Sequence, residues 1–318
     1  MKKIAISIGD INGVGPQLAL SQHETIKNLC EPIYCAHPQL LQNACELLGI
    51  VMPNDMVFVL PNAPVPPIRA GEICPESGRY SYKSFLQACT LADKGEVAGI
   101  CTLPIHKKAW QLGGITAIGH TEVLANRYEK KAIMMLGCKE MFVALFSDHI
   151  ALKNVNATIK FKPLCDFLIQ FYQCVKMKKA LVLGLNPHCG DGGLIGDEDT
   201  IIAQAIIEAN KQLGGEIFIG PIPPDTAFSP QNRQEYRFFI SMYHDVGLAP
   251  LKALYFYESI NITLNIPILR TSVDHGVAFN IAYKTQPNPQ SYLNAIDLAA
   301  QYGSVDEKNQ TQYPKDKV

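Results

Sequence analysis

The stretch Lys3-Ile4-Ala5-Ile6-Ser7-Ile8-Gly9-Asp10-Ile11-Asn12-Gly13-Val14-Gly15-Pro16 decides the fold class. It opens with a short apolar run, which is typical of a strand buried on both faces of a parallel sheet. Gly13 and Gly15 then permit tight turning, and Pro16 suits the first turn of a helix. The stretch therefore predicts a strand, a loop and a helix, which is the repeating unit of an α/β protein.

The same alternation of short β-rich runs and longer amphipathic runs continues along the chain. The predicted strands cover residues 3–8, 33–35, 56–60, 98–102, 132–136, 142–146, 181–185, 217–220, 251–257 and 262–269. The predicted helices cover residues 39–48, 80–93, 121–127, 164–178, 199–213 and 289–301. This pattern favours a largely parallel sheet covered by helices. The polar, lysine-rich residues 306–318 are predicted to be a flexible tail.

Composition excludes several function classes. The 318 residues carry 28 basic and 29 acidic side chains, so no basic field attracts nucleic acid. No run approaches the ~18 apolar residues that would predict a membrane span. The ten cysteines include no Cys-x-x-Cys pair, which favours reduced core thiols over disulfides or zinc modules. We therefore expect a cytoplasmic protein of about two domains.

The glycine loop, residues 9–17, does not match the common nucleotide-binding motifs. Leu18 stands where a Gly-x-Gly-x-x-Gly motif would place its third glycine, and the chain contains no Gly-Lys-Ser or Gly-Lys-Thr triplet. By itself, this loop indicates only an ordinary turn from a strand to a helix.

Histidines after apolar runs give a stronger signal. His149, His188, His244 and His275 each follow an apolar run and lie among aspartate, asparagine or glycine residues. Three neutral imidazoles that converge would form a divalent-metal site with open positions for a substrate. Taken singly, each is more often a hydrogen-bonded loop residue, and spacing along the chain does not show whether they converge.

An ordered set of six motifs identifies a family far more specifically than any single motif would. The motifs are Gly9-Asp10 through Gly15-Pro16, Gly119-His120-Thr121-Glu122, Asn186-Pro187-His188 through Gly196-Asp197-Glu198, Gly220-Pro221-Ile222-Pro223-Pro224-Asp225-Thr226, Tyr243-His244-Asp245, and Arg270-Thr271-Ser272-Val273-Asp274-His275-Gly276. Together they resemble the 4-hydroxythreonine-4-phosphate dehydrogenase family, over nearly the whole chain to about Ala282.

The resemblance implies a two-domain α/β/α subunit of the isocitrate and isopropylmalate dehydrogenase type. One discontinuous domain would comprise residues 1–120 with 245–318, and the second domain would comprise residues 121–244. The subunit would act as a homodimer with shared active sites, binding a small phosphorylated amino acid and neither nucleic acid nor membrane.

The resemblance also implies roles for particular residues. One divalent ion per site (zinc, cobalt, magnesium or manganese) would be held by His149, His188 and His244, contributed by both subunits. The substrate would contact His120, Thr121, Lys252, Asn261 and Arg270, with Lys252 and the three histidines forming the catalytic set. The site would be supported by Asp225 and Asp245. NAD or NADP would bind at Asp274, His275, Gly276 and Asn280.

The implied reaction is the NAD(P)-dependent oxidation and decarboxylation of 4-phosphooxy-L-threonine to 3-amino-2-oxopropyl phosphate, a step of pyridoxine 5'-phosphate (vitamin B6) biosynthesis. A bound divalent ion would lower the pKa of the substrate hydroxyl during hydride transfer, and would favour the decarboxylation that follows by stabilising negative charge. Lys252 and Arg270 would be cationic partners for the phosphate, and arginine offers bidentate geometry.

Alternatives remain open at this stage. A sister dehydrogenase acting on threonate or erythronate 4-phosphate would share the same apparatus. A three-histidine metal hydrolase would bind no nicotinamide, and an inactive binding protein would turn nothing over. Asp225 and Asp245 could be loop caps, and Thr121 could be a helix N-cap. The chain also departs from the family pattern at Gln17, Cys189, Asp191, Val246, Val277, Asn280 and Tyr283.

Overall fold

The computed structural model describes residues 1–304, so the predicted tail, residues 306–318, lies outside the described residues. The described chain forms two compact units. The first unit comprises Met1–Ala132 together with the described residues from Ile260 onward, and the second comprises Ile133–Ser259. The first unit is therefore discontinuous in sequence.

Short strands and helices alternate as the sequence predicts. The strands are β1 (Lys3–Ser7), β2 (Glu31–Cys35), β3 (Val57–Phe58), β4 (Gly99–Thr102), β5 (Ile133–Cys138), β6 (Met141–Leu145), β7 (Ala180–Leu183), β8 (Phe218–Ile222), β9 (Phe238–Ser241), β10 (Ile260–Leu264) and β11 (Arg270–Val273). The helices are α1 (Gly15–Ser21), α2 (His23–Ile26), α3 (Pro38–Leu48), α4 (Pro75–Asp93), α5 (Lys107–Leu112), α6 (His120–Tyr128), α7 (Val155–Thr158), α8 (Phe161–Val175), α9 (Glu198–Leu213), α10 (Pro224–Ala227), α11 (Pro230–Glu235), α12 (His244–Tyr255) and α13 (Gln290–Tyr302).

The first unit arranges its strands in the order β3-β2-β1-β4-β11-β10. All neighbouring pairs are parallel except β10 and β11, which are antiparallel. The apolar residues of β1 are fully buried because helices cover the sheet. Phe85 of α4 and Trp110 of α5 belong to one buried cluster with Ile100 of β4, and burial of each such side chain contributes roughly 1.5–3 kcal/mol.

The second unit arranges its strands in the order β5-β6-β9-β7-β8. Only the β5–β6 pair is antiparallel. Helix α12 packs Leu248 and Leu251 into a buried cluster with Val143 of β6. The α/β fold class predicted from the sequence is confirmed.

One predicted strand, residues 251–257, is wrong, because helix α12 occupies Leu251 to Tyr255. The aromatic run around Tyr255 suggested a strand, but Leu248 and Leu251 are buried three residues apart, which is helical spacing. Pro250 lies inside this helix and obscured the pattern. The sequence prediction also omitted β9, and it did not place a strand at β11.

None of the helices within residues 1–304 combines the length and apolar character needed to cross a bilayer.

Candidate functional site

Arg270 is the centre of a buried polar cluster in the first unit. It begins β11 and is only 3% exposed. Thr263 stands opposite it on β10, and Asn261 lies two residues earlier on the same face, because side chains alternate along a strand. Thr102, at the end of β4, completes this polar face. The parallel and antiparallel pairings of β11 therefore gather three polar side chains around one guanidinium.

Every N–H of the Arg270 guanidinium has an acceptor. Nε and Nη2 donate to Thr102 Oγ1 at 3.1 and 2.8 Å. Nη1 donates to Asn261 Oδ1 at 3.3 Å and to Thr263 Oγ1 at 3.1 Å. Nη2 also lies 3.2 Å from His120 Nδ1. All of these acceptors are neutral, and within the described part of the chain no carboxylate lies within ion-pair distance of the guanidinium. Burial lowers the pKa of Arg270 to about 10, which leaves it charged at neutral pH.

The contact with Arg270 fixes the chemical form of His120. A guanidinium can only donate hydrogen bonds, so Nδ1 of His120 accepts and the ring proton is on Nε2. Burial, assisted by the charge of Arg270, holds the pKa of His120 well below its usual range. The Nε2 atom is buried and has no hydrogen-bond partner. His120 therefore presents a neutral imidazole with an N–H donor that is free for a ligand.

Aromatic rings fix the orientation of this imidazole. Phe85 and Trp110 contact His120 edge to face, with ring centroids 4.5 and 5.4 Å away. His120 is the first residue of α6, and Gly119 precedes it. Neither His120 nor Thr121 caps the helix, and Glu122 instead accepts a hydrogen bond from the backbone N–H of Ile118 at 2.6 Å. The N-cap alternative for Thr121 is therefore wrong.

Two of the three predicted metal ligands lie together in the second unit. The ring centroids of His149 and His244 are 5.7 Å apart. His244 Nδ1 lies 2.7 Å from Asp245 Oδ1, so the carboxylate accepts the Nδ1–H and leaves Nε2 with its lone pair. Asp148 lies 3.7 Å from His149 Nδ1 and also accepts the backbone N–H of His149 at 2.6 Å. These contacts, led by a hydrogen bond from His149, hold the pKa of Asp148 below its usual range.

His188 lies on an exposed loop, residues 187–193, with an unusual backbone. Residues 188 to 193 all have positive φ, beginning with 51° at His188 and 54° at Cys189. Gly190 is required there because a Cβ would lie 2.3 Å from the carbonyl oxygen of Gly196. Burial raises the pKa of the Cys189 thiol to about 11, and the charges of Asp199 and then Asp225 contribute in the same direction. Within the described residues, His149, His188 and His244 do not form a three-ligand cluster in one chain.

Asp199 anchors the base of the His188 loop, and sequence reasoning did not select it. Its carboxylate accepts the backbone N–H groups of Leu185 and Asn186 at 2.8 and 3.0 Å, and the Asn186 side-chain amide at 3.0 Å. Asp199 is only 3% exposed. A carboxylate in the first turn of a predicted helix, 11 residues after His188, was the available signal.

Lys252 lies on helix α12 and not on a strand. Eight helical residues separate it from His244, which corresponds to about 12 Å along the axis. Its Nζ lies 5.4 Å from the centroid of the Phe256 ring, one turn further from His244. The structure therefore places Lys252 about two turns after His244 on the same helix.

The predicted cofactor loop, residues 274–280, packs against the glycine loop, residues 9–17. Val14 N–H donates to Val277 O at 3.0 Å, and a Cβ on Gly13 would lie 2.7 Å from the same oxygen. Two departures from the family pattern form part of this contact. Gln17 Oε1 accepts the Tyr283 N–H at 2.6 Å, and the Tyr283 hydroxyl donates to Ile11 O at 2.7 Å.

These loops have features that fit a nucleotide. Gly276 and Asn280 are exposed, and the space beside Gly276 is open. Phe279 and His106 stack almost flat, at 6° with ring centroids 5.1 Å apart.

In the second unit, paired imidazoles with a carboxylate on Nδ1 are a donor set that fits a divalent ion.

Within residues 1–304, the group of His, Cys, Asp and Glu ligand atoms close enough to hold a metal is His23, Glu24 and Asp55. These three residues form an ion-pair network with Lys27. His23 contacts Asp55 at 3.0 Å, and Lys27 contacts Asp55 and Glu24 at 2.7 and 2.8 Å. The ammonium of Lys27 already bridges the two carboxylates.

These features define a class of protein. It is an α/β protein with a buried donor cluster suited to an anion and a histidine pair suited to a metal. Residues 28–299 match the family model "Pyridoxal phosphate biosynthetic protein PdxA", and the chain belongs to this family. It is 48% identical over 301 residues to 4-hydroxythreonine-4-phosphate dehydrogenase of Sulfurimonas denitrificans, covering 95% of this chain and 98% of the relative. It is 51% identical over 304 residues to the enzyme of that name from Helicobacter pylori strain J99, covering 94% and 99%.

A solved structure agrees with these relatives. The crystal structure of 4-hydroxythreonine-4-phosphate dehydrogenase from Klebsiella pneumoniae superposes with a TM-score of 0.77 at 30% identity. The match covers 95% of this chain and 99% of the Klebsiella chain. The family resemblance inferred from the six motifs is therefore confirmed.

Proposed function

We propose that the chain is a 4-hydroxythreonine-4-phosphate dehydrogenase, which oxidises and decarboxylates 4-phosphooxy-L-threonine in the biosynthesis of pyridoxal phosphate. The observation that carries this proposal is identity of about 50% to enzymes of that name over 94–95% of the chain. Identity of this extent leaves no unmatched domain in the described units that would carry another activity. The buried Arg270–His120 cluster supports it, because a doubly anionic phosphate ester supplies the negative charge that the cluster lacks.

His120, Asn261 and Arg270 bind the anionic substrate in this proposal. His120 contributes an oriented N–H donor, and the guanidinium contributes a positive charge in a site from which water is largely excluded. A donor fixed before binding loses little entropy when the substrate arrives, so it orients the carbon that reacts. Thr121 and Lys252 remain predicted substrate contacts.

The second unit provides the metal ligands. His149 and His244 bind the ion through ring nitrogens, and Asp245 keeps His244 in the tautomer whose Nε2 is a ligand. When bound, the ion supplies Lewis acidity toward the substrate hydroxyl, and NAD or NADP supplies the hydride acceptor. The protein's own task is to orient the substrate so that its reacting carbon meets the nicotinamide, while the loop of residues 274–280 contributes to cofactor binding.

We also propose a cytoplasmic homodimer in which His188 completes the metal site of the partner subunit. Support comes from the position of His188 on an exposed loop that continues into Leu194, which is 85% exposed, and Ile195. Exposed apolar side chains beside a ligand mark an interaction surface. Within residues 1–304, none of the ten cysteines forms a disulfide, which fits a reducing compartment.

The test is turnover by the purified, metal-loaded protein with NAD or NADP, followed by nicotinamide absorbance and carbon dioxide release. We expect both signals with 4-phosphooxy-L-threonine. Parallel assays with threonate 4-phosphate and erythronate 4-phosphate distinguish the sister dehydrogenase. Calorimetry with NAD and NADP distinguishes a metal hydrolase, which would bind neither. Turnover only with the sugar-acid phosphates would contradict the proposed substrate.

A further inference from the structure

The first unit contains a pocket that is separate from the candidate site. Its volume is about 430 Å³, which lies within the roughly 300–1,000 Å³ that is typical of small-molecule sites. The pocket is lined by the segment of residues 62–67, by helix α4 and by the residues that follow α5. In the part of the chain that the structure describes, no residue predicted to bind substrate, metal or cofactor lines it. The pocket therefore needs an explanation of its own.

The lining of this pocket is mainly apolar and rigid. Residues 61–67 contain four prolines, three of which line the pocket. Each proline ring fixes its own φ, so this segment cannot readily collapse into the cavity. Tyr82 and Ile115 add apolar surface, and both pack against the buried core of the first unit. Because a preformed cavity loses little entropy on binding, it is suited to a flat apolar ligand.

The charged residues of the lining give the pocket an excess of positive charge. They are Glu76, Arg79 and Lys83, all on α4. Arg79 and Lys83 are four residues apart, so they lie on the same face of the helix. Glu76 lies in the first turn, where a carboxylate complements the helix dipole, and it is 3.9 Å from Arg79 Nη2. Within residues 1–304, Lys83 forms no ion pair. Two cations therefore stand against one carboxylate.

We propose that this pocket binds a small molecule with a flat apolar ring system and one carboxylate group. The ring contacts the prolines and Tyr82, and the carboxylate meets the exposed Lys83 ammonium and Arg79 guanidinium at the rim. One negative charge matches the excess of one positive charge. A neutral molecule of the same shape loses the charge-assisted contacts, and a cation meets two like charges. The proposal does not depend on the proposed function.

Trp110 reports whether the pocket is occupied. It is the single tryptophan of the sequence. Its ring packs edge to face against Tyr82, with centroids 5.2 Å apart, and its backbone oxygen accepts the Ile115 N–H at 3.0 Å. A ligand ring against Tyr82 and Ile115 changes the surroundings of the indole, so the fluorescence of Trp110 measures binding.

The first test compares three probes that share one ring system and differ in charge: naphthoate, naphthylmethanol and naphthylmethylamine. Each is titrated into the full-length protein, and binding is followed by the fluorescence of Trp110 and by calorimetry. We expect naphthoate to bind saturably, with one molecule per chain. Naphthylmethanol should bind about fivefold more weakly, because exposed charge pairs contribute modestly, and the amine should bind more weakly still. No saturable binding of naphthoate, or equal affinity for the amine, overturns the proposal.

The second test removes the positive charges. Lys83→Gln combined with Arg79→Gln changes two exposed positions, so the fold should be retained. We expect the affinity for naphthoate to fall by about fivefold, whereas the affinity for naphthylmethanol should not change. Lys211→Gln is the matched control, because it removes an exposed helical lysine that does not line the pocket. Wild-type affinity for naphthoate in the double variant overturns the proposal.

The third test fills the cavity. Ala63 lines the pocket and is half-buried, so Ala63→Phe places a ring in the space assigned to the ligand. We expect this variant to bind neither naphthoate nor naphthylmethanol, and thermal unfolding checks that it is folded. If a folded Ala63→Phe protein bound naphthoate as tightly as wild type, the probe would occupy another site and the proposal would be overturned. If the variant did not fold, the double variant of the second test would decide the question.

Discussion

At the scale of single residues, burial decides the charge state of Asp10. Its carboxylate is fully buried in the loop after β1, where Oδ1 accepts the Asn12 N–H at 3.0 Å. Burial raises its pKa from 3.8 to about 6, although the Asn12 hydrogen bond acts in the opposite direction. The sequence motif placed Asp10 in a loop, but only the packing of the folded protein makes it a weaker acid than an ordinary aspartate.

Asp10→Asn should stabilise the protein at high pH. The folded state holds the Asp10 proton to a higher pH than the unfolded chain, so the carboxyl favours folding below about pH 4, and this contribution is lost as the pH rises through about 6. We expect the variant to gain as much as ~3 kcal/mol over wild type above pH 6, and almost nothing near pH 4. Urea unfolding of both proteins across this range measures the difference. A gain that does not change with pH would contradict the assignment.

Asp245→Ala should weaken metal binding. The carboxylate orients His244 through a 2.7 Å hydrogen bond, and removing such a partner costs about 10–100-fold in metal affinity. Calorimetric titration of the variant with zinc or cobalt measures the loss. Asp166→Ala removes an exposed ion pair with Lys162 on α8 and is the matched control, for which we expect unchanged affinity. Equal affinities in all three proteins would show that Asp245 is only a loop residue.

At the scale of elements, the loop of residues 187–193 is strained and depends on an anchor. Several of its non-glycine residues, His188 among them, adopt the left-handed region, which costs roughly 1–3 kcal/mol at each position unless the surroundings hold it. The Asp199 carboxylate holds the entry to the loop through the backbone of Leu185 and Asn186. Helix α9 therefore helps to set the position of His188, a predicted metal ligand on the loop that precedes the helix.

Asp199→Ala should release this loop. Three hydrogen bonds to the carboxylate are lost, two of them from backbone N–H groups, so we expect destabilisation by about 2–4 kcal/mol together with weaker metal binding. Thermal unfolding and metal titration measure the two effects. Asp199→Asn keeps one acceptor oxygen and should have an intermediate effect on both. If the Asp199→Ala protein were destabilised but bound metal normally, Asp199 would anchor the loop without affecting the metal site.

At the scale of the whole molecule, the metal site tests the proposed assembly. His149 and His244 lie together within the second unit, whereas His188 stands on an exposed loop of the same chain. In the proposed C2 dimer, the loop of each protomer would meet the histidine pair of its partner, and symmetry would make the two metal sites equivalent.

Mixing two inactive variants should therefore restore activity. His188→Ala and His244→Ala homodimers each lack a ligand in both sites, but a mixed dimer contains one complete site. We expect about a quarter of wild-type turnover after co-expression in equal amounts, because half of randomly assorted dimers are mixed. Turnover assays on the co-expressed and the separately purified proteins give the measurement, and light scattering gives the mass. A mixture as inactive as its parents would place all three ligands in one chain.

Local sequence determined much of the fold and many of the candidate residues. Buried strands such as β1 and amphipathic helices such as α9 follow from apolar periodicity and from breakers, which act over a few residues. His120 and Arg270 stood out because their motifs recur in a family. The error at α12 arose because an aromatic run and Pro250 hide helical spacing when neighbouring strands are unknown.

Tertiary structure alone decided how these residues act. Thr102 and Arg270 are 168 positions apart, and only the pairing of β4 with β11 places a hydroxyl at both Nε and Nη2. The tautomer of His120 and the pKa of Asp10 likewise depend on desolvation and on partners distant in sequence. Hydrogen bonding and dielectric environment are properties of packed atoms in three dimensions, so no pattern of neighbouring residues specifies them.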